Sequence, residues 1–172
     1  MRSLSYRLVL LLLLLALFNN DVSATDTGTD VGKYAPAVEL LDLNGKTISL
    51  SSLKGTAVLL NFWSTLCVPC VEEMPSLNRL SSAFKDSDFR VIAVSIDASD
   101  KPVRDFVLKN KISFTILLDK DKEVFFDQYA GPTLPASYLI DRNGLIVDKY
   151  TGKREWDSAE IRDKIYLLLR KK

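Results

Sequence analysis

The sequence predicts one α/β domain built as a sandwich. Two compact apolar runs, Thr56 to Trp63 and Phe89 to Asp97, have the make-up of strands buried on both faces. They alternate with stretches whose apolar residues recur at helical spacing. Turn signals flank this middle, Asn44-Gly45 before it and Arg142-Asn143-Gly144 after it, each between two short strand-like runs. At 172 residues and 47% hydrophobic content the chain is long enough to bury one proper core.

Taken in order, the chain starts with a targeting pattern. Arg2 and Arg7 precede the apolar run Leu8 to Phe18, and Val22-Ser23-Ala24 closes a polar stretch with a small residue. That is the pattern of a secretory signal peptide over residues 1–24. As a helix the apolar run rises only about 16 Å, roughly half of a bilayer core. An uncleaved anchor is the alternative. Residues 25–30 read as a flexible polar leader, and the folded domain as 31–172.

In the domain, "AVELLDLNGKTISL" forms two strands around Asn44-Gly45, and Thr56 to Trp63 forms the first buried strand. A helix follows from Cys67 or Val68, with Met74, Leu77, Leu80 and Phe84 on one face; Pro75 inside it is expected to kink it. After the strand Phe89 to Asp97, Lys101 to Asn110 is a helix that buries Val103, Phe106 and Val107. "FTILLD" is a strand, "KEVFFDQYA" a short helix, and Gly131 to Pro135 a sharp break. "ASYLID" and "LIVDKYTG" pair as a hairpin. The last helix begins at Asp157 or Ser158, with Asp157 and Glu160 as a capping box and Ile161, Ile165 and Leu168 as its buried stripe.

Composition removes several function classes. A formal net charge of +1 gives no general attraction to nucleic acid. The chain holds no histidine, which excludes Cys–His and Ser–His nucleophile pairs and histidine-ligated metals. Haem attachment is excluded as well, because Val71 follows the second cysteine.

Both cysteines lie in "WSTLCVPC", at Cys67 and Cys70. As a staple, a bond between them would close too short a loop to stabilise much. As a zinc half-site, they would need carboxylates or a second chain to supply the two further ligands such a metal usually takes. Thiol–disulfide exchange suits them better. Cys67 at a helix start would face unpaired N–H groups and the positive dipole end, which favours the thiolate. Cys70, one turn on, is within reach to resolve a mixed disulfide, and Pro69 fixes the backbone between them. No metal or cofactor is called for.

The segment "LLNFWSTLCVPCVEEMPSL" resembles the active-site segment of thioredoxin-fold oxidoreductases of the TlpA, ResA and CcmG group. The likeness extends through "YAPAVELLDLNGKTISLSSLKG", "TLPASYLIDRNGLIV" and "GKREWDSAEI". It implies a thioredoxin-like three-layer sandwich with an N-terminal β-hairpin and an αβ insertion between Ser99 and Asp119. It further implies Cys67 as the exposed nucleophile, Cys70 as the buried resolving thiol, and Glu73 as the carboxylate that handles their protons. The bland alternative for Glu73 is a charge complementing the helix N-terminus, which Glu72 would serve too. Asn61 stands where thioredoxin itself carries a buried acid. Pro135 matches the group's cis-proline, although X-Pro bonds are more often trans. Leu134 would then offer its backbone to an extended client, and Trp63 would wall the site, with plain core packing as the alternative.

Two departures from the group's pattern, Leu66 before the first cysteine and Leu134 before the proline, make the client-facing surface more aliphatic. The resemblance implies an extracytoplasmic reductase of protein disulfides, in cytochrome c maturation or copper-site assembly. Its partners would be client protein thiols and disulfides and, as electron donor, a membrane thiol transporter of the DsbD/CcdA type. Peroxide reduction on the same fold is an alternative, but Leu60 and Ser64 break the usual peroxidatic pattern. A non-catalytic exported binding domain is another.

Overall fold

A computed structural model of the chain describes residues 27–170; the expected signal segment, residues 1–24, lies outside them. The elements run β1 (Glu39–Asp42), β2 (Thr47–Ser49), β3 (Ala57–Trp63), α1 (Val68–Ala83), β4 (Phe89–Ser95) and α2 (Asp100–Lys109). There follow β5 (Thr115–Leu118), β6 (Ala136–Ile140), β7 (Ile146–Thr151) and α3 (Ala159–Arg170). The strands form one seven-stranded sheet in the order β2-β1-β5-β4-β3-β6-β7. β3, β4 and β5 are parallel, whereas β6 runs antiparallel to β3 and the outer hairpins are antiparallel.

Both hairpins are made in the same way. The Asp42 carboxylate accepts the N–H groups of Asn44 and Lys46, and Asp141 does the same for Asn143 and Leu145. Gly45 and Gly144 then take φ values of 79° and 93°, a region that costs a glycine little. Alternation along β3 divides the core. Leu59 and Trp63 join the cluster under α1, α2 and α3, while Val58, Leu60 and Phe62 join the cluster on the opposite face.

That opposite layer is thin. It is covered by residues 35–38, by the 3-10 segment Leu50–Leu53 and by a single π-helical turn, Val124–Gln128. The short helix expected at "KEVFFDQYA" is thus present, as a single wide π-helical turn. Asp119 accepts the N–H groups of Val124 and Phe125, and Tyr129 N–H closes on Val124 at 3.0 Å. Gly131 lies directly on the Phe125 ring, where an added Cβ would meet ring carbon at 2.1 Å.

α1 continues through Pro75 as one helix, with the proline inside it as expected. One local expectation changes. Asp157 does not form the expected capping box, because its carboxylate is taken by Arg79, whose Nε lies 2.6 Å away. In the leader, Gly28 N–H donates to Tyr34 at 3.0 Å, which ties Thr27–Asp30 to the segment that follows.

Candidate active site

β3 delivers the chain to one end of the sheet, and a four-residue connection, Ser64 to Cys67, leads into α1. Cys67 is the N-cap of that helix, in extended conformation, and Pro69 stands in its first turn, where a missing N–H costs no hydrogen bond. Cys67 and Cys70 are joined as a disulfide, with their Cα atoms 5.2 Å apart. The two sulfurs differ in access. Cys67 is half-buried, whereas Cys70 is 0% exposed and belongs to the core cluster with Met74 and Leu77.

Glu73 follows Cys70 by one turn on the buried face of α1 and is 1% exposed. Its carboxylate accepts hydrogen bonds from Asn61 Nδ2 at 2.8 Å and from the Arg154 N–H at 3.0 Å. Burial pushes the carboxyl above the ordinary glutamate range, and the Arg154 N–H and the Asn61 amide pull it only part of the way back. Asn61 is held in turn by Ser137, whose Oγ accepts its second N–H at 2.9 Å. The carboxylate therefore sits in a buried, hydrogen-bonded cradle and not on the helix surface. Glu72, by contrast, faces solvent and pairs with Lys153 at 2.7 Å.

Leu134–Pro135 is a cis peptide bond. Ala136 pairs with Phe62 in the sheet register, which sets Pro135 at the same end of the sheet as the Ser64–Cys67 connection. Leu134 is partly buried and packs on both core clusters, while Pro135 C=O accepts the Gly152 N–H at 2.9 Å. Leu66 is 89% exposed, and the neighbouring Val68 is exposed as well. An aliphatic rim therefore flanks Cys67.

Of the two readings of Trp63, the structure supports core packing over a wall of the site. Trp63 is 0% exposed, with its ring centroid 5.2 Å from that of Phe106, so it supports the connection from beneath and offers no surface to a client. Residue patterns also did not point to Ser137, to the Arg154 backbone or to Asp97, an 8% exposed carboxylate at the end of β4. The available signal for Asp97 was an acid closing an otherwise apolar strand. Ser137 and Arg154 reach the site only through sheet pairing and loop packing, which carry no local signature. Among the described residues no cluster of Cys, Asp or Glu is arranged to hold a metal ion.

A disulfide with one accessible and one buried sulfur, at a helix N-terminus on a thioredoxin-like fold, defines a thiol–disulfide oxidoreductase. Comparison with known proteins agrees. The AhpC/TSA family model matches residues 31–149, and the chain belongs to that family. It is 38% identical over 130 residues to the thiol-disulfide oxidoreductase ResA of Bacillus cereus, covering 76% of this chain and 75% of that one. With ResA of Bacillus subtilis it shares 37% over 147 residues, covering 84% and 82%. Among solved structures, the thioredoxin domain of a thiol-disulfide oxidoreductase from Bacteroides vulgatus superposes with a TM-score of 0.72 at 28% identity, covering 82% of this chain and 99% of that one.

Proposed function

We propose that this protein is an extracytoplasmic protein-disulfide reductase for specific exported clients, of the kind handled in cytochrome c maturation or copper-site assembly. The observation that carries the reading is the gradation of access across the cysteine pair, with a buried carboxyl one turn behind it. In the dithiol form, the Cys67 thiolate attacks one sulfur of a client disulfide. That bond breaks, the far client sulfur leaves as a thiolate and takes a proton, and Cys67 is left in a mixed disulfide. Glu73 accepts the Cys70 proton, and the Cys70 sulfur attacks Cys67. This closes the Cys67–Cys70 bond and releases the second client sulfur as a thiolate, which is protonated in turn. Two electrons and two protons pass to the client.

Leu66 and the Leu134 backbone receive the client beside Cys67. A membrane thiol transporter of the DsbD/CcdA type returns the pair to the dithiol, since an oxidising compartment does not. The charged and apolar N-terminal pattern supports the extracytoplasmic site.

The test is trapping with Cys70→Ser, which should accumulate mixed disulfides through Cys67 with exported proteins. Capture by Cys67→Ser instead would reverse the roles of the two sulfurs. A redox potential above about −150 mV, near that of strong oxidants, would overturn the reductase direction.

A further inference from the structure

The Asp97 carboxylate spends its bonding capacity on the segment that leads into the disulfide. Its Oδ1 accepts from Ser64 Oγ at 3.0 Å and from Thr65 Oγ1 at 2.7 Å. Its Oδ2 accepts from the Thr65 N–H at 3.0 Å and from Ser95 Oγ at 2.7 Å. Through Ser64 the hold extends further: Ser64 Oγ accepts the Leu66 N–H at 3.2 Å, and Ser64 C=O accepts the Cys67 N–H at 3.1 Å. Every residue of the β3–α1 connection is thus tied to this one side chain, directly or through Ser64.

Burying an ionised carboxylate is costly unless donors compensate it. Here burial works against the charge, but the Thr65, Ser95 and Ser64 donors outweigh it and keep the carboxyl below its ordinary range. The loop is consequently held by an ionised acceptor throughout the neutral range.

We propose that Asp97 is a positioning residue for the Cys67 sulfur, holding the Ser64–Cys67 connection so that an open thiol stays at the N-terminus of α1 with Leu66 presented beside it. The inference rests on Cys67 being the attacking sulfur. It competes with a simpler effect of opposite sign, because a nearby negative charge by itself disfavours a thiolate. Loss of positioning raises the Cys67 thiol pKa, whereas loss of the charge alone lowers it.

The experiment is the rate of iodoacetamide alkylation against pH for the reduced wild type, Asp97→Ala, Asp97→Asn and Thr65→Val, with the modified cysteine mapped. Asp97→Ala should react about tenfold more slowly at neutral pH, its inflection about one unit higher. Asp97→Asn keeps an acceptor for Thr65 and lacks the charge, so it should recover most of the wild-type rate. Thr65→Val removes one donor and should fall between, and it keeps the test informative if Asp97→Ala does not fold. Faster alkylation of both Asp97 variants would show a charge effect and overturn the proposal, as would equal rates in all four proteins. If wild-type Cys70 reacts before Cys67, the assignment of the nucleophile fails instead, and the mapping tells the two failures apart.

Discussion

At Glu73 a single carboxyl group is removed from water, given two donors, and placed one helical turn from a buried sulfur. Those facts pull its proton affinity in opposite directions, with burial the stronger, so it holds its proton to a higher pH than an exposed glutamate. An acid tuned upward is better matched to exchange a proton with a thiol near neutrality. In the Glu73→Gln variant the resolving step, attack of Cys70 on a preformed Cys67 mixed disulfide, should slow about a hundredfold or more, in line with the loss of a general base. Its rate should also lose the rise with pH that accompanies Glu73 ionisation in the wild type. Stopped-flow release of a chromogenic thiol from the mixed disulfide measures both. An unchanged pH profile would reduce Glu73 to a structural acceptor. The residue type and its spacing from Cys70 were legible in the sequence, and so was Asn61 as the occupant of a buried position. That the two meet was not legible. The contact depends on Asn61 falling on the α1 side of β3, with Leu59 and Trp63, and on the Gly152–Trp156 loop folding back over the helix.

That loop is the feature of interest at the scale of elements. It follows β7 and lies across α1, joined to it at several points. Ser76 Oγ donates to Glu73 C=O at 2.8 Å and accepts the Trp156 N–H at 3.1 Å, while Arg79 pairs with Glu155 and Asp157. The same loop gives Glu73 its backbone donor and donates Gly152 N–H to Pro135. Helix, carboxylate and cis-proline segment are therefore registered against one another by one connection. Ser76→Ala leaves the buried Trp156 N–H without an acceptor and should destabilise the oxidised protein by about 1–3 kcal/mol, read from its denaturant midpoint. A loss within a few tenths of a kcal/mol would mean the loop is held by packing of Trp156 alone. The strands, α1 and α3 were legible because burial imposes periodicity on them. The π form of the Val124–Gln128 helix and the role of Asp157 were not, since Asp119 and Arg79, which determine them, act from other parts of the chain.

For the whole molecule, the absence of histidine leaves no side chain that ordinarily titrates between about pH 5 and 8. In the disulfide form the cysteines do not titrate either. Any slope of stability above the ordinary carboxylate range must then come largely from groups that the fold shifts upward. Two buried carboxyls are moved upward. Burial raises Glu73, and burial also raises Asp119, which is 0% exposed and has the Asp121 carboxylate beside it. Each binds its proton more tightly folded than unfolded, so the folded state holds more protons through the range between the two values, and stability must fall as pH rises there. Asp97, Asp148 and Asp157 are shifted the other way by their donors and ion pairs. Their contribution is complete above the ordinary aspartate value and is lost as pH falls through their lowered folded values. The oxidised protein should therefore lose stability as pH rises above the ordinary carboxylate range, through the raised folded values of Glu73 and Asp119, and should lose it steeply on the acid side only below about pH 4. Denaturant midpoints across a pH series measure the slope, and the Glu73→Gln, Asp119→Asn double variant should flatten the part that lies above the ordinary carboxylate range. A midpoint that stays flat as pH rises above the ordinary carboxylate range would mean that the donors around these two carboxylates outweigh their burial. Glu73 would then be fully ionised in the resting enzyme and ready to take the Cys70 proton without any rise in pH.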